Sequence, residues 1–319
     1  MNTELVCQLT ELFGNQFSNQ ILEILRKYDI TRKISPSINS NNKLLDSFLS
    51  AKKVEGKSVK TLNYYKNTLS RLLTTIKKNL KQITTDDLRN YLSDFQNQKG
   101  SSNVTIDNIR RIFSSFFSWL EDEDFIVKSP VRRIHKVKTT KVVKEILTDE
   151  DLEKLRESAM SYRDRAIVEF LTSTGVRVGE IVNLNIEQIK FDDRSAIVLG
   201  KGSTEREVYF DARTKIHLQR YLSTRTDTNN ALFVSNKIPN NRLTIGTIEL
   251  IVKNLGEKSS IHHVHPHKFR RTLATRAIDK GMPVEQVQKL LGHVRIDTTM
   301  HYAMVNQVNV KISHRKYIG

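Results

Sequence analysis

Apolar side chains recur every three or four positions through most of the first 125 residues, which is the spacing of one buried face of an α-helix. This spacing predicts two short helices in residues 1–30 and four helices in residues 42–125. The last of these has the widest apolar face, made of Ile109, Ile112, Phe113, Phe116, Phe117 and Leu120. Lysines and arginines lie mainly off the apolar faces. The pattern therefore predicts a small helical bundle with a basic exterior.

The second half of the chain predicts more helices and one antiparallel hairpin. Residues 195–200 and 207–210 are rich in strand-forming side chains and flank a Gly-Ser turn, which is a hairpin signal. Helical spacing precedes the hairpin in a segment around Leu152 and over residues 162–173, and it returns over residues 244–254, 266–280, 283–291 and 297–305. The expected fold class is mainly α (α+β), with a small antiparallel β-sheet in the second domain.

The net charge narrows the choice of partner. The 319 residues include 52 Lys and Arg against 35 Asp and Glu, a formal net charge of +17, and a basic surplus of this size points to nucleic acid. The single cysteine, Cys7, excludes an intramolecular disulfide and a Cys-rich zinc site. No apolar run approaches the ~20 residues of a membrane helix, so we expect no membrane partner and a cytoplasmic, nucleoid-associated location.

Residues 128–145 contain seven basic side chains and one acidic side chain. Ser129-Pro130 is expected to break the preceding helix, and we identify no apolar period after it. A solvated linker is one interpretation. We favour a linker between two domains that also follows the phosphates of a nucleic acid.

Two basic residues lie at positions suited to phosphate chemistry. Arg177 follows Gly175 and stands at a predicted helix start, where its guanidinium and unsatisfied backbone N–H groups would both bind phosphate. Lys201 lies at the predicted hairpin tip, from which an ammonium group can deliver a proton. Each has an ordinary alternative, because surface arginines and basic hairpin tips are common.

Histidines, an arginine and a tyrosine in the last sixty residues complete a candidate site. His267 and Arg270 are three residues apart in a predicted helix and share one face. His293 directly follows Gly292, and Tyr302 lies in a predicted short helix. The rival interpretation is a zinc site, which we disfavour because no Cys or carboxylate cluster completes the ligand set His262, His263, His265 and His267.

The order Arg, Lys, His-x-x-Arg, Gly-His, Tyr resembles the tyrosine recombinase family of integrase-type site-specific recombinases. The resemblance covers about residues 40–310 and is most specific in TGVRVGE, HPHKFRRTLAT and LLGHVRIDTTMHY. One departure is Arg271, where many relatives have histidine, and this position is not a catalytic one. By this resemblance the catalytic set is Arg177, Lys201, His267, Arg270, His293 and Tyr302.

The resemblance implies a SAM-like core-binding bundle and a catalytic domain that cleaves and rejoins DNA through a 3′-phosphotyrosyl intermediate. Tyr302 would be the nucleophile and Lys201 the proton donor to the 5′-oxygen, while the roles of His267 and His293 as proton acceptor and hydrogen-bond donor are interchangeable. No metal, other cofactor or ATP is implied. The implied partners are double-stranded DNA with specific recombination sites, a homo-tetramer on DNA, and accessory DNA-bending proteins. A type IB-like topoisomerase and a non-catalytic DNA-binding protein on the same fold are the alternatives.

The layout is nearest to that of Xer-like or transposon recombinases, which indicates a prokaryotic, viral or mobile-element origin. We expect an N-terminal helical extension (1–35), a core-binding domain (36–127), a basic linker (128–145), a catalytic domain (146–305) and a tail that docks on another protomer (306–319). The predicted DNA contacts outside the catalytic set are Lys60, Lys66, Arg71, Arg110, Arg132, Arg133, Lys136, Lys138 and Lys141.

Overall fold

A computed structural model describes residues 38–139, 145–200, 204–293 and 295–300. The chain divides into two compact units, Met1–Val142 and Val143–Gly319. The predicted helices in residues 1–30, the predicted tail, Lys141, Lys201 and Tyr302 lie outside the described residues. In the part of the chain that is described, no helix is both long enough and apolar enough to cross a membrane.

The first unit is the predicted helical bundle. Its α-helices are α1 (Ile38–Val54), α2 (Val59–Ile76), α3 (Thr85–Lys99) and α4 (Asn103–Asp122). The hydroxyls of Ser58, Thr84 and Ser102 accept hydrogen bonds from backbone N–H groups in the first turns of α2, α3 and α4. These caps satisfy donors that have no partner within the helix and so define where each helix starts.

The core of the bundle lies on the apolar face predicted for α4. All six predicted side chains on this face are buried. The Phe48 ring on α1 meets Phe116 edge-on, with the ring centroids 5.0 Å apart, and Leu69 and Leu72 of α2 are completely buried. Helical spacing alone was sufficient to identify this face, because it aligns the six side chains on one side of the helix.

The chain after α4 differs from the expectation. Helix α4 ends at Asp122, well before Ser129-Pro130. A short 3₁₀-helical turn follows at Pro130–Arg133. Val131 is buried in the bundle core, and Ile134 and Val137 pack against it. This part of the predicted linker therefore packs on the bundle, although its apolar spacing of three is that of neither an α-helix nor a β-strand. The boundaries of the predicted domains remain predictions.

The second unit is mainly helical with a small antiparallel sheet, as predicted. Its helices before the sheet are α5 (Asp149–Ser158), α6 (Tyr162–Thr174) and α7 (Val178–Asn183). The strands β1 (Ile189–Lys190), β2 (Ser195–Leu199) and β3 (Glu205–Tyr209) pair in the order β1-β2-β3, with Ala196 opposite Val208. The later helices are α8 (Ala212–Ser223), α9 (Ile245–Lys258), α10 (Pro266–Asp279), α11 (Val284–Leu291) and α12 (Ile296–Met300).

Helix α8 is absent from the sequence prediction, because one of its three buried positions is the polar Thr214, beside Leu218 and Tyr221. Helix α6 is at the centre of this unit, and Ile167, Val168, Phe170 and Leu171 are all fully buried in it. A helix covered on most sides has a fixed axis, and its C-terminal end leads directly to the predicted site.

Candidate active site

The C-terminal end of α6 turns at Gly175. Its φ angle of +57° lies in the left-handed region, which glycine adopts without strain. A Cβ atom at this position would lie 2.7 Å from Cδ2 of Leu273 on α10. Glycine therefore permits both the turn and the close approach of α10, which carries two of the predicted catalytic residues.

Arg270 on α10 is only 2% exposed, and its guanidinium joins the ends of two helices. Nη1 donates a hydrogen bond of 2.8 Å to the carbonyl oxygen of Gly175, and Nη2 donates to the carbonyl oxygen of Leu291 at the end of α11. Carbonyl groups at helix C-termini carry partial negative charge, so they are favourable partners for a buried cation. These bonds fix the plane of the Arg270 guanidinium.

Arg177 is half-buried and reaches the same end of α11. Its Nη2 donates a hydrogen bond of 3.0 Å to the carbonyl oxygen of Gly292, which directly follows Leu291. Two guanidiniums are thus held on consecutive carbonyl groups, immediately before His293. The fold thus brings Arg177, Arg270 and His293 together, although Arg177 and Arg270 are more than ninety residues apart in the chain.

Two residues of this cluster are missing from the sequence prediction: Glu180 and Arg206. Glu180 is buried, and its carboxylate accepts hydrogen bonds from Arg206 Nη1 and Nη2 at 2.6 and 2.8 Å and from Arg177 Nη1 at 2.7 Å. Burial by itself would raise the pKa of Glu180, but the hydrogen bonds from Arg206 and Arg177 outweigh it and lower the pKa below its usual value. The carboxylate is therefore ionised and holds both guanidiniums.

Glu180 also changes the expected environment of Arg177. The backbone N–H of Arg177 donates to Glu180 Oε2 at 2.7 Å, so this donor at the start of α7 is already satisfied within the protein. A glutamate three residues after a helix start is a capping-box signal that could have identified it. The alternation along β3 could have identified Arg206, because it shares the inward face of the strand with the buried Val208.

His293 follows the left-handed Gly292 and contacts the buried Thr299 of α12. Its Nδ1 lies 2.8 Å from Thr299 Oγ1. Desolvation, and then the positive charges of Arg270, Arg177 and Arg206, lower the pKa of His293 to about 4. The imidazole is therefore neutral at pH 7.

His267 lies in the first turn of α10, directly after Pro266, whose fixed φ angle suits a helix start. The ring is exposed, in contrast to Arg270 one turn further on. Partial desolvation, followed by the charges of Arg270 and Arg177, lowers the pKa of His267. The two arginines are thus close enough to favour the neutral form of both histidines.

The described ends of β2 and β3 approach this cluster. Gly200 and Thr204, on either side of the tip, are joined by a hydrogen bond of 2.7 Å from the Gly200 N–H to the Thr204 carbonyl. A Cβ atom at Gly200 would lie 3.9 Å from Glu180 Oε1. The described stem of the hairpin therefore lies beside Glu180, while the roles predicted for Lys201 and Tyr302 remain predictions.

The predicted DNA contacts in the described part of the first unit are mostly exposed. Exposed members are Lys60, Lys66, Arg71, Arg132, Arg133, Lys136 and Lys138. Arg110 differs, because its side chain is 15% exposed and forms an ion pair with the buried Asp107 at 2.9 Å. Among the described residues, no group of three or more His, Cys, Asp or Glu side chains is placed to hold a metal ion.

Two family models match the chain. Residues 139–308 match the phage integrase family, and residues 44–126 match the N-terminal SAM-like domain of phage integrases. The tyrosine recombinase XerC of Oceanobacillus iheyensis is 30% identical over 292 residues, which cover 85% of this chain and 94% of that relative.

Solved structures share the fold at lower identity. The XerH site-specific recombinase, in a post-cleavage complex with palindromic difH substrate, has a TM-score of 0.69 and 21% identity over 94% of this chain and 88% of its own. The λ integrase dimer bound to a COC′ core site has a TM-score of 0.68 and 20% identity over 90% of this chain and 85% of its own.

Proposed function

Because the chain belongs to the phage integrase family of tyrosine recombinases, we propose that it cleaves and rejoins duplex DNA at specific sites through a 3′-phosphotyrosyl intermediate. In this proposal Tyr302 attacks the scissile phosphodiester, and the 5′-oxygen leaves. The observation that carries the proposal is the pair of guanidiniums, Arg177 and Arg270, fixed on consecutive carbonyl groups beside His293.

Arg177 and Arg270 are proposed to bind the non-bridging oxygens of the scissile phosphate. Negative charge accumulates on these oxygens in the pentacoordinate transition state, and donors that are already oriented stabilise it without reorganisation. The hydrogen bonds to Gly175, Leu291 and Gly292 supply that orientation. The guanidiniums would supply the positive charge that a metal ion supplies in other phosphoryl-transfer sites.

The two histidines are proposed to have different roles. A group with a pKa of about 4 is a weak base at pH 7, so His293 suits donation of a hydrogen bond to a phosphate oxygen rather than proton uptake. His267 is exposed and mainly neutral, so it is the better acceptor for the Tyr302 proton. Lys201, which directly follows Gly200 in the sequence, is the proposed proton donor to the 5′-oxygen.

Strand exchange between two sites in a homo-tetramer is the proposed reaction as a whole, in a cytoplasmic, nucleoid-associated setting. The chain resembles XerC over nearly the whole length of that recombinase, which favours a Xer-like layout over a topoisomerase that acts alone on one duplex. The mass of the complex on DNA carrying two sites distinguishes them: a tetramer supports recombination, and a monomer supports the topoisomerase.

Substitution of Tyr302 by phenylalanine tests the proposed nucleophile. Tyr302→Phe should bind site DNA normally and form no covalent adduct on a denaturing gel, because only the phenolic oxygen is removed. Tyr162→Phe is the control, since Tyr162 is an exposed tyrosine at the start of α6. A covalent adduct with Tyr302→Phe would exclude Tyr302 from this role.

A further inference from the structure

Residues 130–138, here called the basic strap, form a layer on the surface of the first unit. Val131 is buried, and Ile134 and Val137 pack on the bundle core. A spacing of three residues is typical of neither an amphipathic α-helix nor a β-strand. After the 3₁₀ turn, residues 134–138 belong to no helix or strand. One side chain in three, at positions 131, 134 and 137, therefore faces the bundle.

Hydrogen bonds from α3 and α4 hold the strap along its length. Thr85 Oγ1 donates to the carbonyl oxygen of Pro130 at 2.8 Å, and Asn103 Nδ2 donates to that of Lys138 at 3.0 Å. These two bonds fix the first and last residues of the strap to the bundle. Its backbone geometry is therefore set by the bundle.

Asp107 on α4 is the central attachment point. Its side chain is 5% exposed, and Oδ1 accepts a hydrogen bond of 3.2 Å from the backbone N–H of Val137. The same carboxylate accepts from Nε of Arg110 and Nε of Arg111, both at 2.9 Å. Asp107 therefore binds the strap and at the same time offsets the charge of two arginines.

The outer face of the strap is basic throughout. Its exposed side chains are Arg132, Arg133, His135, Lys136 and Lys138, and it contains no acidic residue. Arg132 forms an exposed ion pair with Glu121 at 3.3 Å. After the turn, Arg133, Lys136 and Lys138 are separated by three and two residues, which at about 3.3 Å per extended residue corresponds to spacings of roughly 10 and 7 Å. This is a strip of charge complementary to the phosphate backbone of DNA.

We propose that Asp107 is a positioning residue that holds the basic strap on the bundle, so that the phosphate contacts expected of this segment are preformed before DNA binds. Arg110, whose side chain is 15% exposed, is then a structural partner of Asp107 and not a DNA contact. A fixed strap loses less conformational entropy on binding than a flexible linker with the same charges. The proposal rests on the proposed function, because it requires that the chain binds duplex DNA.

The first test removes charge from the outer face. In the full chain, Lys136→Gln with Lys138→Gln should weaken binding to a fluorescent duplex site, and the slope of log affinity against log salt should become shallower by about 1.8, since each lost phosphate contact removes about 0.9. Lys43→Gln with Lys53→Gln is the control, because these exposed lysines lie on α1, whereas the hydrogen bonds that hold the strap come from α3 and α4. Equal slopes for the two double variants would overturn the proposal.

The second test releases the strap while adding positive charge. Asp107→Asn raises the net charge by one, yet it should weaken DNA binding, reduce the salt slope and accelerate hydrogen exchange of the Val137 amide. Asp94→Asn makes the same charge change at an exposed site on α3 and should leave binding unchanged or slightly tighter. Tighter binding by Asp107→Asn, with unchanged slope, would contradict the proposal.

The lysine double variant keeps the proposal testable if Asp107→Asn unfolds the bundle, because its side chains are exposed. Failure of the unmodified chain to bind duplex DNA at all would refute the proposed function. Normal DNA binding, with slopes that do not respond to the strap substitutions, would refute only the inference about the strap.

Discussion

Glu180→Gln should weaken both the fold of the second unit and its cleavage activity. The substitution keeps the size of the side chain and removes the charge that holds the Arg177 and Arg206 guanidiniums. Oε1 of Glu180 accepts from Nη1 of both arginines, and Oε2 accepts from Arg206 Nη2 and the Arg177 backbone N–H, so glutamine would turn its amide NH2 toward one of these two pairs of donors. The two cations would then repel each other without a shared negative charge.

The magnitude follows from the burial of the three side chains. Breaking a fully buried ion pair costs about 3–5 kcal/mol. Here Glu180 is 4% exposed, but the Arg206 side chain is 12% and the Arg177 side chain 32% exposed, so water screens part of the loss. We therefore expect the free energy of unfolding to fall by about 2–3 kcal/mol, after a discount for this screening and for the bonds that glutamine retains.

The pH dependence of stability gives a second observable. The pKa of Glu180 in the folded chain lies below its usual value of 4.5. Its contribution is therefore complete above the unfolded-state pKa and is lost as the pH falls through the lower folded-state pKa. Glu180→Gln should lack this part of the acid sensitivity.

Cleavage of a nicked suicide substrate measures the effect on the site. Displacement of Arg177 by about 1 Å should reduce the single-turnover rate roughly 10²-fold. Urea unfolding followed by far-UV circular dichroism measures stability, while fluorescence of the chain's single tryptophan, Trp119, follows the first unit separately. Glu205→Gln is the control, because Glu205 is exposed on the same strand as Arg206. Neutral surface substitutions change the free energy of unfolding by up to roughly 0.5 kcal/mol. A Glu180→Gln variant within this range of the parent, with unchanged cleavage, would refute the reasoning.

Three further predictions concern the predicted catalytic residues. Arg270→Ala should reduce the single-turnover cleavage rate by about 10²–10³ through loss of a transition-state donor, and Arg213→Ala, at an exposed site, should leave the rate unchanged. The free energy of unfolding of the parent chain should decrease as the pH falls from 6.5 to about 4, because the unfolded chain protonates His293 at a higher pH than the folded chain does. His293→Gln should make this decrease smaller, and urea unfolding across this pH range measures it. Lys201→Ala should regain cleavage on a substrate with a 5′-thiolate leaving group, which needs no proton, and absence of rescue would limit Lys201 to phosphate contact.

Local pattern in the sequence was enough to predict the bundle and much of the second unit. The six apolar positions of α4 are buried because helical spacing places them on one face, and no distant residue is needed to recognise that face. Gly175 and Gly292 marked helix ends for a similarly local reason, since a left-handed residue after a helix favours glycine. The motifs at Arg177, Arg270 and His293 were identified in the same way.

Only the tertiary structure determined which groups those motif residues contact. Arg177 binds the carbonyl of Gly292, 115 positions away, and Arg206 binds Glu180 from a separate strand. Spacing along the chain contains no information about such pairs, because they form only when helices and sheet pack together. The apolar spacing of residues 131–137 likewise has no helix or strand period, and it acquires an inner face only against the bundle that buries Val131.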